Sequence, residues 1–230
     1  MAVTRFVDRM EERTVAWKGF SILVHSLGLL GHKPPVDERT RLERRIATAM
    51  GEYPATPTHL CRVAVGMAKL SWTPEAEFLD ALLRNALLQA SNTNVQHICN
   101  LLWALSEMQL VISDAGGGIP LAWLDEMCSQ LTVFFDDLVK EDITQLATAL
   151  ARLKYRPDDA FLNALKTMAV ARFDEMDARC VTIYVFAMHK LDYALDDELW
   201  GRFMDKIEVD SERLKSQHVA MALWSFALRR

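Results

Sequence analysis

The sequence predicts an all-α protein, an α-solenoid of stacked helical hairpins with a period of about 38 residues. Three observations predict it. An apolar Leu/Ala-rich segment recurs at regular intervals, each later copy is preceded by another segment of helical periodicity, and nothing alternates with the period of two that a strand requires.

The recurring segments are "ILVHSLGLLGHKP" from Ile22, "RVAVGMAKLSWTP" from Arg62, "NLLWALSEMQL" from Asn100, "QLATALARLKYRP" from Gln145, "IYVFAMHKLDY" from Ile183 and "MALWSFALRR" from Met221. Their starts are spaced by 40, 38, 45, 38 and 38 residues, which is a period and not a coincidence of composition. The long interval contains "ISDAGGGIP", residues 112 to 120, and predicts a loop insertion over 111–120, where a solenoid accepts one between helices. Gly116, Gly117 and Gly118 lack the preceding strand and following Lys-Ser/Thr of a phosphate-binding loop, so they are expected to form a flexible connection.

The first helix of a hairpin is expected at "EAEFLDALLRNALLQA" from Glu75, "LAWLDEMCSQLTVFF" from Leu121, "DAFLNALKTMAVARF" from Asp159 and "DELWGRFMDKI" from Asp197. Thr56-Pro57, Asn94 and Asp177 stand at matching positions before the second helix, as N-caps and once as a proline at the first helical position. Pro34, Pro74 and Pro157 follow the second helix and are expected to stop it.

One hairpin buries only one face, so stability must come from stacking hairpin on hairpin. Leu101, Leu102, Leu105 and Met108, with Leu146, Leu150 and Leu153, are the expected stacking residues. The Trp103 position holds His25, Val65, Thr148, Phe186 and Trp224 in the other copies, which suggests packing against a neighbouring helix rather than stacking on a ligand. Another position is always small (Ser26, Gly66, Ala104, Ala149, Ala187, Ser225), so a backbone passes close there, either in tight packing or against a partner. Residues 1–230 thus read as one solenoid of about six hairpins, the first and last incomplete.

Charge limits the function classes. With 26 Lys and Arg against 31 Asp and Glu, the net charge of -5 opposes generic attraction to nucleic acid, although a local basic stripe remains compatible with it. Cys61, Cys99, Cys128 and Cys180 form no CxxC pair and read as core thiols of a reducing compartment, not as zinc ligands or a disulfide scaffold. No apolar run reaches the roughly 18 residues of a membrane span. Asp8, Glu11 and Glu12 are unlike a transit peptide, so an imported form is expected to have lost its presequence.

On the second helices, the positions facing away from the stacking residues are Gln96, Asn100 and Glu107 around Trp103. Their equivalents are Thr58, Arg62 and Lys69; Glu141, Gln145 and Arg152; Arg179, Ile183 and Lys190; and Gln217 with Met221. This stripe holds five basic residues against two acidic ones, and Lys154 and Arg156 in "KYRP" extend it. It is readable as an RNA-tracking line, with amides meeting base edges, or as an ordinary solvated face.

Catalysis finds no support. Asp158-Asp159 and Asp196-Asp197 occupy equivalent helix starts, where Asp suits the positive end of the helix dipole, and Asp136-Asp137 is read as solvation. His59, His97 and His218 recur at one repeat position, which is a structural pattern, and His25, His32 and His189 join no HExxH. No Ser or Cys sits in a nucleophile motif, and no catalytic residue, metal, cofactor or small-molecule substrate is expected.

The unit opening with "TPEAEFLDALL" and closing with "NVQHICNLLWALSEMQL" resembles the octotricopeptide repeat family and the related heptatricopeptide repeats of organellar proteins in algae and apicomplexan-type protists. Residues 74 to 110 match best; elsewhere Val65, Thr148 or Phe186 replaces the Trp. The resemblance implies an α-solenoid that binds RNA in mitochondria, or alternatively chloroplasts. Its expected role is transcript maturation, translation control or contact with rRNA in a divergent organellar ribosome. The alternative is a scaffold subunit of an organellar complex that makes no RNA contact. The sequence stops inside a repeat at "WSFALRR", so other protein subunits are expected at the C-terminal repeat, or else a longer natural chain.

Overall fold

The computed structural model describes residues 17–53 and 55–228. Among them are eleven α-helices: α1 (Trp17–Leu30), α2 (Val36–Glu52), α3 (Pro57–Lys69), α4 (Ala76–Leu88), α5 (Val95–Glu107), α6 (Leu121–Thr132), α7 (Lys140–Leu153), α8 (Asp159–Ala171), α9 (Ala178–Lys190), α10 (Asp197–Val209) and α11 (Ser216–Leu228). No strand occurs among the described residues. None of these helices is long and apolar enough to cross a membrane.

The chain forms two compact units, Met1–Met127 and Cys128–Arg230. In the first, α1 packs on α3 and α3 on α5, while α2 packs on α4. In the second, α7 packs on α9 and α9 on α11, while α8 lies against α7 and α10 against α9. Second helix therefore stacks on second helix within each unit, as an α-solenoid requires. The helix α2 is the first member of a hairpin whose charged sequence, "VDERTRLERRIATAMGE", hides its apolar stripe of Leu42, Ile46 and Met50.

Burial follows the apolar frame. Leu101, Leu102, Leu105 and Met108 are buried, as are Leu146, Leu150 and Leu153. Each fully buried Leu contributes about 1.5–3 kcal/mol relative to an exposed one. The small position is a packing position: Gly66, Ala104, Ala149, Ala187 and Ser225 are buried. At Gly66 the helices touch backbone to backbone, since a Cβ there would collide with the Val24 carbonyl oxygen.

Local chemistry sets the helix boundaries. The Asn94 carboxamide accepts from His97 N at 2.9 Å and the Asp177 carboxylate from Cys180 N at 2.7 Å, so both serve as N-caps. Asp158 and Asp196 cap α8 and α10 in the same way, accepting from Phe161 N and Leu199 N. Thr56 precedes α3 but caps nothing; its hydroxyl bonds His59 Nδ1 at 3.0 Å, and Pro57 leaves no N–H to satisfy there.

The second helices end on left-handed residues: Gly31, Ser71, Gln109, Lys154 and Asp192, with φ between 49° and 64°. After four of them the next amide reaches back to a carbonyl five residues earlier (His32 to Leu27, Trp72 to Met67, Tyr155 to Leu150, Tyr193 to Met188), which is the Schellman closure. These turns end the helices before the prolines are reached.

Polar groups inside the core are few; the Tyr184 and Ser225 hydroxyls make no hydrogen bond there among the described residues, whereas Asn85 and Glu43 are engaged. Asn85 accepts from Ala55 N and donates to the Met50 and Ala81 carbonyls, tying α4 to the connection between α2 and α3. Glu43 accepts from Trp72 Nε1 and, at 2.7 Å, from Glu75 N, so one carboxylate of α2 holds the start of the next hairpin. Burial pushes the Glu43 carboxyl above its ordinary pKa, against the pull of those two donors.

The insertion is a built turn. Ser113 N donates to the Ile119 carbonyl and Ile119 N to the Val111 carbonyl, at 3.0 and 2.9 Å. A Cβ on Gly118 would meet the Val111 carbonyl oxygen at 2.6 Å, so the loop closes on itself only with glycine there. Asp114 then accepts from Leu121 N and starts α6.

Candidate functional site

The second helices present the predicted stripe. In the first unit Thr58, Arg62 and Lys69 are exposed on α3, Gln96 is exposed on α5, and Asn100 is half-buried there. In the second unit Arg152, Arg179 and Lys190 are exposed, and Gln145 is half-buried. Lys154 is the left-handed residue closing α7, and Arg156 follows it with both amines engaged, on Asp159 at 2.6 Å and on the Pro157 carbonyl.

Four of these residues come together. Arg152, Lys154, Arg156 and Lys190 line one cavity of about 460 Å³ in the second unit, within the size range of small-molecule sites. Gln145 and Arg179 do not line it. Its floor is apolar, formed chiefly by Ile183, Phe186 and Met221, and Asp192 is its one carboxylate among the described lining residues. A cationic rim above an apolar floor is an environment for an anion that also carries a flat or greasy body.

The floor was legible in part. Ile183 and Met221 stand at the repeat position that Asn100 holds, where Arg62 and Gln145 are polar and Ile22 is apolar, and their apolar letters were the available signal. Phe186 stands at the Trp103 position, which is half-buried in all six copies. It packs on the next hairpin as predicted, its ring centroid 4.9 Å from that of Trp224, and it also faces the cavity. Lys190 Nζ lies over both rings, at 5.6 Å from Phe186 and 4.3 Å from Trp224.

The first unit's stripe is built differently, around histidines. His97 Nε2 meets the Thr58 hydroxyl at 3.2 Å, which links α5 to α3. His25 has its pKa lowered by burial and then by Lys69 and Arg62; His59 is lowered by burial and then by Arg62 and Lys18. His97 is lowered by burial alone. In the second unit, burial and then Arg179 and Lys215 lower His218. Burial is the leading cause in each case, with neighbouring cations adding to it at His25, His59 and His218.

The remaining chemistry-bearing side chains are occupied structurally. All four cysteines are buried and unpaired with one another, and burial pushes the Cys61 thiol up to about 12, far from a reactive thiolate. Among the described residues no group of three His, Cys, Asp or Glu is placed to hold a metal ion. The recurrent His59, His97 and His218 sit near helix starts, and the first two hydrogen-bond threonines. No protein-family model matches the chain, and no curated protein is similar to it.

Proposed function

We propose that this chain is a non-catalytic helical-repeat protein that binds single-stranded RNA along the second helices of its C-terminal unit. The carrying observation is the cavity in which Arg152, Lys154, Arg156 and Lys190 stand around an apolar, partly aromatic floor. Single-stranded nucleic acid is bound by this combination of backbone charge and base contact. On the first unit Thr58, Arg62, Lys69, Gln96 and Asn100 offer polar and cationic groups without such a floor. The resemblance to organellar repeat proteins supports a mitochondrial location, with the chloroplast as alternative, and contact with rRNA or an organellar transcript.

The test is fluorescence anisotropy with a labelled single-stranded RNA over a salt series. Binding should weaken with salt, and Arg152→Glu with Lys190→Glu should reduce both the affinity and the slope, since each neutralised phosphate contributes about 0.7 to the slope for single strands. Unchanged binding in the double variant would remove the site; no binding even at low salt would remove the function.

A second reading is favoured by one observation. The last helix, α11, exposes Val219, Leu223, Phe226 and Leu228, an apolar set of the kind another protein subunit covers. Sedimentation of the isolated chain distinguishes the two: self-association relieved by Leu223→Glu, without RNA binding, would favour a scaffold.

A further inference from the structure

We infer that the cavity of the C-terminal unit takes one unstacked nucleotide of the bound strand, its base on Ile183, Phe186 and Met221 and its phosphate on the cationic rim. This deepens the RNA-binding reading and rests on it. A phosphate line alone would need only surface cations, as on the first unit, where Arg62 and Lys69 stand exposed on the helix surface. The second unit instead has a concavity of about 460 Å³ whose rim and floor differ in chemistry.

The floor is suited to a ring face. Phe186 is backed by Trp224 at 4.9 Å and stays half-buried, so the ring is held in place before any ligand arrives. Such preorganisation lowers the ordering cost of binding. Ile183 and Met221 flank it at a position that is polar in Arg62, Asn100 and Gln145 and apolar also in Ile22 of the first copy. Polar residues there would serve a solvated helix face; apolar ones serve something laid upon them. Beside the floor, Lys154 stands at a left-handed corner and Arg152 two residues earlier, in the last turn of α7. Arg156 pairs with Asp159 and Lys190 stands over the Phe186 and Trp224 rings, and with Arg152 and Lys154 they make the rim cationic.

The proposal is tested with the full chain by competition. Adenosine 5′-monophosphate at millimolar concentration should displace a labelled oligonucleotide, and ribose 5-phosphate at the same concentration should not, because it lacks the base. Phe186→Leu and Ile183→Ser should each weaken the oligonucleotide at least about tenfold while leaving the salt slope unchanged, because the base loses its contact and the phosphates do not. Helical circular dichroism excludes misfolding, and Ile183→Ser serves if Phe186→Leu disturbs α11.

If the oligonucleotide binds with the expected salt slope but neither the mononucleotide nor the floor variants change anything, this inference fails and the RNA reading stands. If no RNA binds at all, both fail. A Glu- and Leu-rich peptide that binds in a Phe186-dependent way where the nucleotide does not would also overturn it, and would assign the cavity to an acidic protein segment.

Discussion

The Lys190 ammonium lies 4.3 Å from the centre of the Trp224 ring, joining α9 to α11 through a cation–π contact. At a half-exposed ring this is worth about 0.5–1 kcal/mol. A double-mutant cycle of Lys190→Met and Trp224→Leu, read by urea unfolding, should return a coupling of about that size. Lys190→Arg should retain most of it, because Arg also sits over aromatic faces.

Gly66 and Gly201 give opposite signs for one substitution. A methyl group on Gly66 would collide with the Val24 carbonyl, while one on Gly201, inside α10, meets nothing within 4 Å. Gly66→Ala should destabilise by about 1–3 kcal/mol or more, through forced separation of α1 and α3. Gly201→Ala should stabilise by about 0.5–1 kcal/mol, through backbone entropy. Urea midpoints of the two variants decide both.

Asn85→Ala should cost about 2 kcal/mol or more. It strips the Ala55 amide and the Met50 carbonyl of a side-chain partner, and an unpaired buried group costs about 1–3 kcal/mol. Hydrogen exchange should show the loss first at Ala55, whose amide donates to the Asn85 side chain.

The lowered histidines fix a pH dependence. Their folded pKa values lie below the ordinary 6.5, so between those values and 6.5 the unfolded chain binds more protons. Stability should therefore be full above pH 6.5 and fall as the pH drops below it. Thermal unfolding between pH 7.5 and 5.5 should show this, and His25→Gln with His97→Gln should flatten the curve.

The parts of the fold that were legible are those with local causes. Asn94 and Asp177 act three residues away, and the Leu frame of α5 repeats one helix at a time, so a linear reading finds them. Glu43 and Trp72 are 29 positions apart, and Asn85 and Ala55 are 30; nothing in either neighbourhood announces the pairing. The helix α2 was absent from the first helices read by pattern because charged residues crowd its apolar positions. At the site, the cations were legible as a stripe, but their gathering around a cavity depends on Lys154 turning the chain at a corner that carries no glycine.

Those corners have a consequence of their own. Ser71, Gln109, Lys154 and Asp192 each hold a left-handed backbone that an L side chain adopts at a cost of roughly 1–2 kcal/mol. A lone hairpin has little with which to offset that cost, whereas a hairpin docked on its neighbours does. The corner is then held by the array rather than by its own sequence, and loss of one hairpin should loosen the corners beside it. Unfolding within each unit is accordingly expected to be concerted, with no single hairpin persisting once its neighbours have gone.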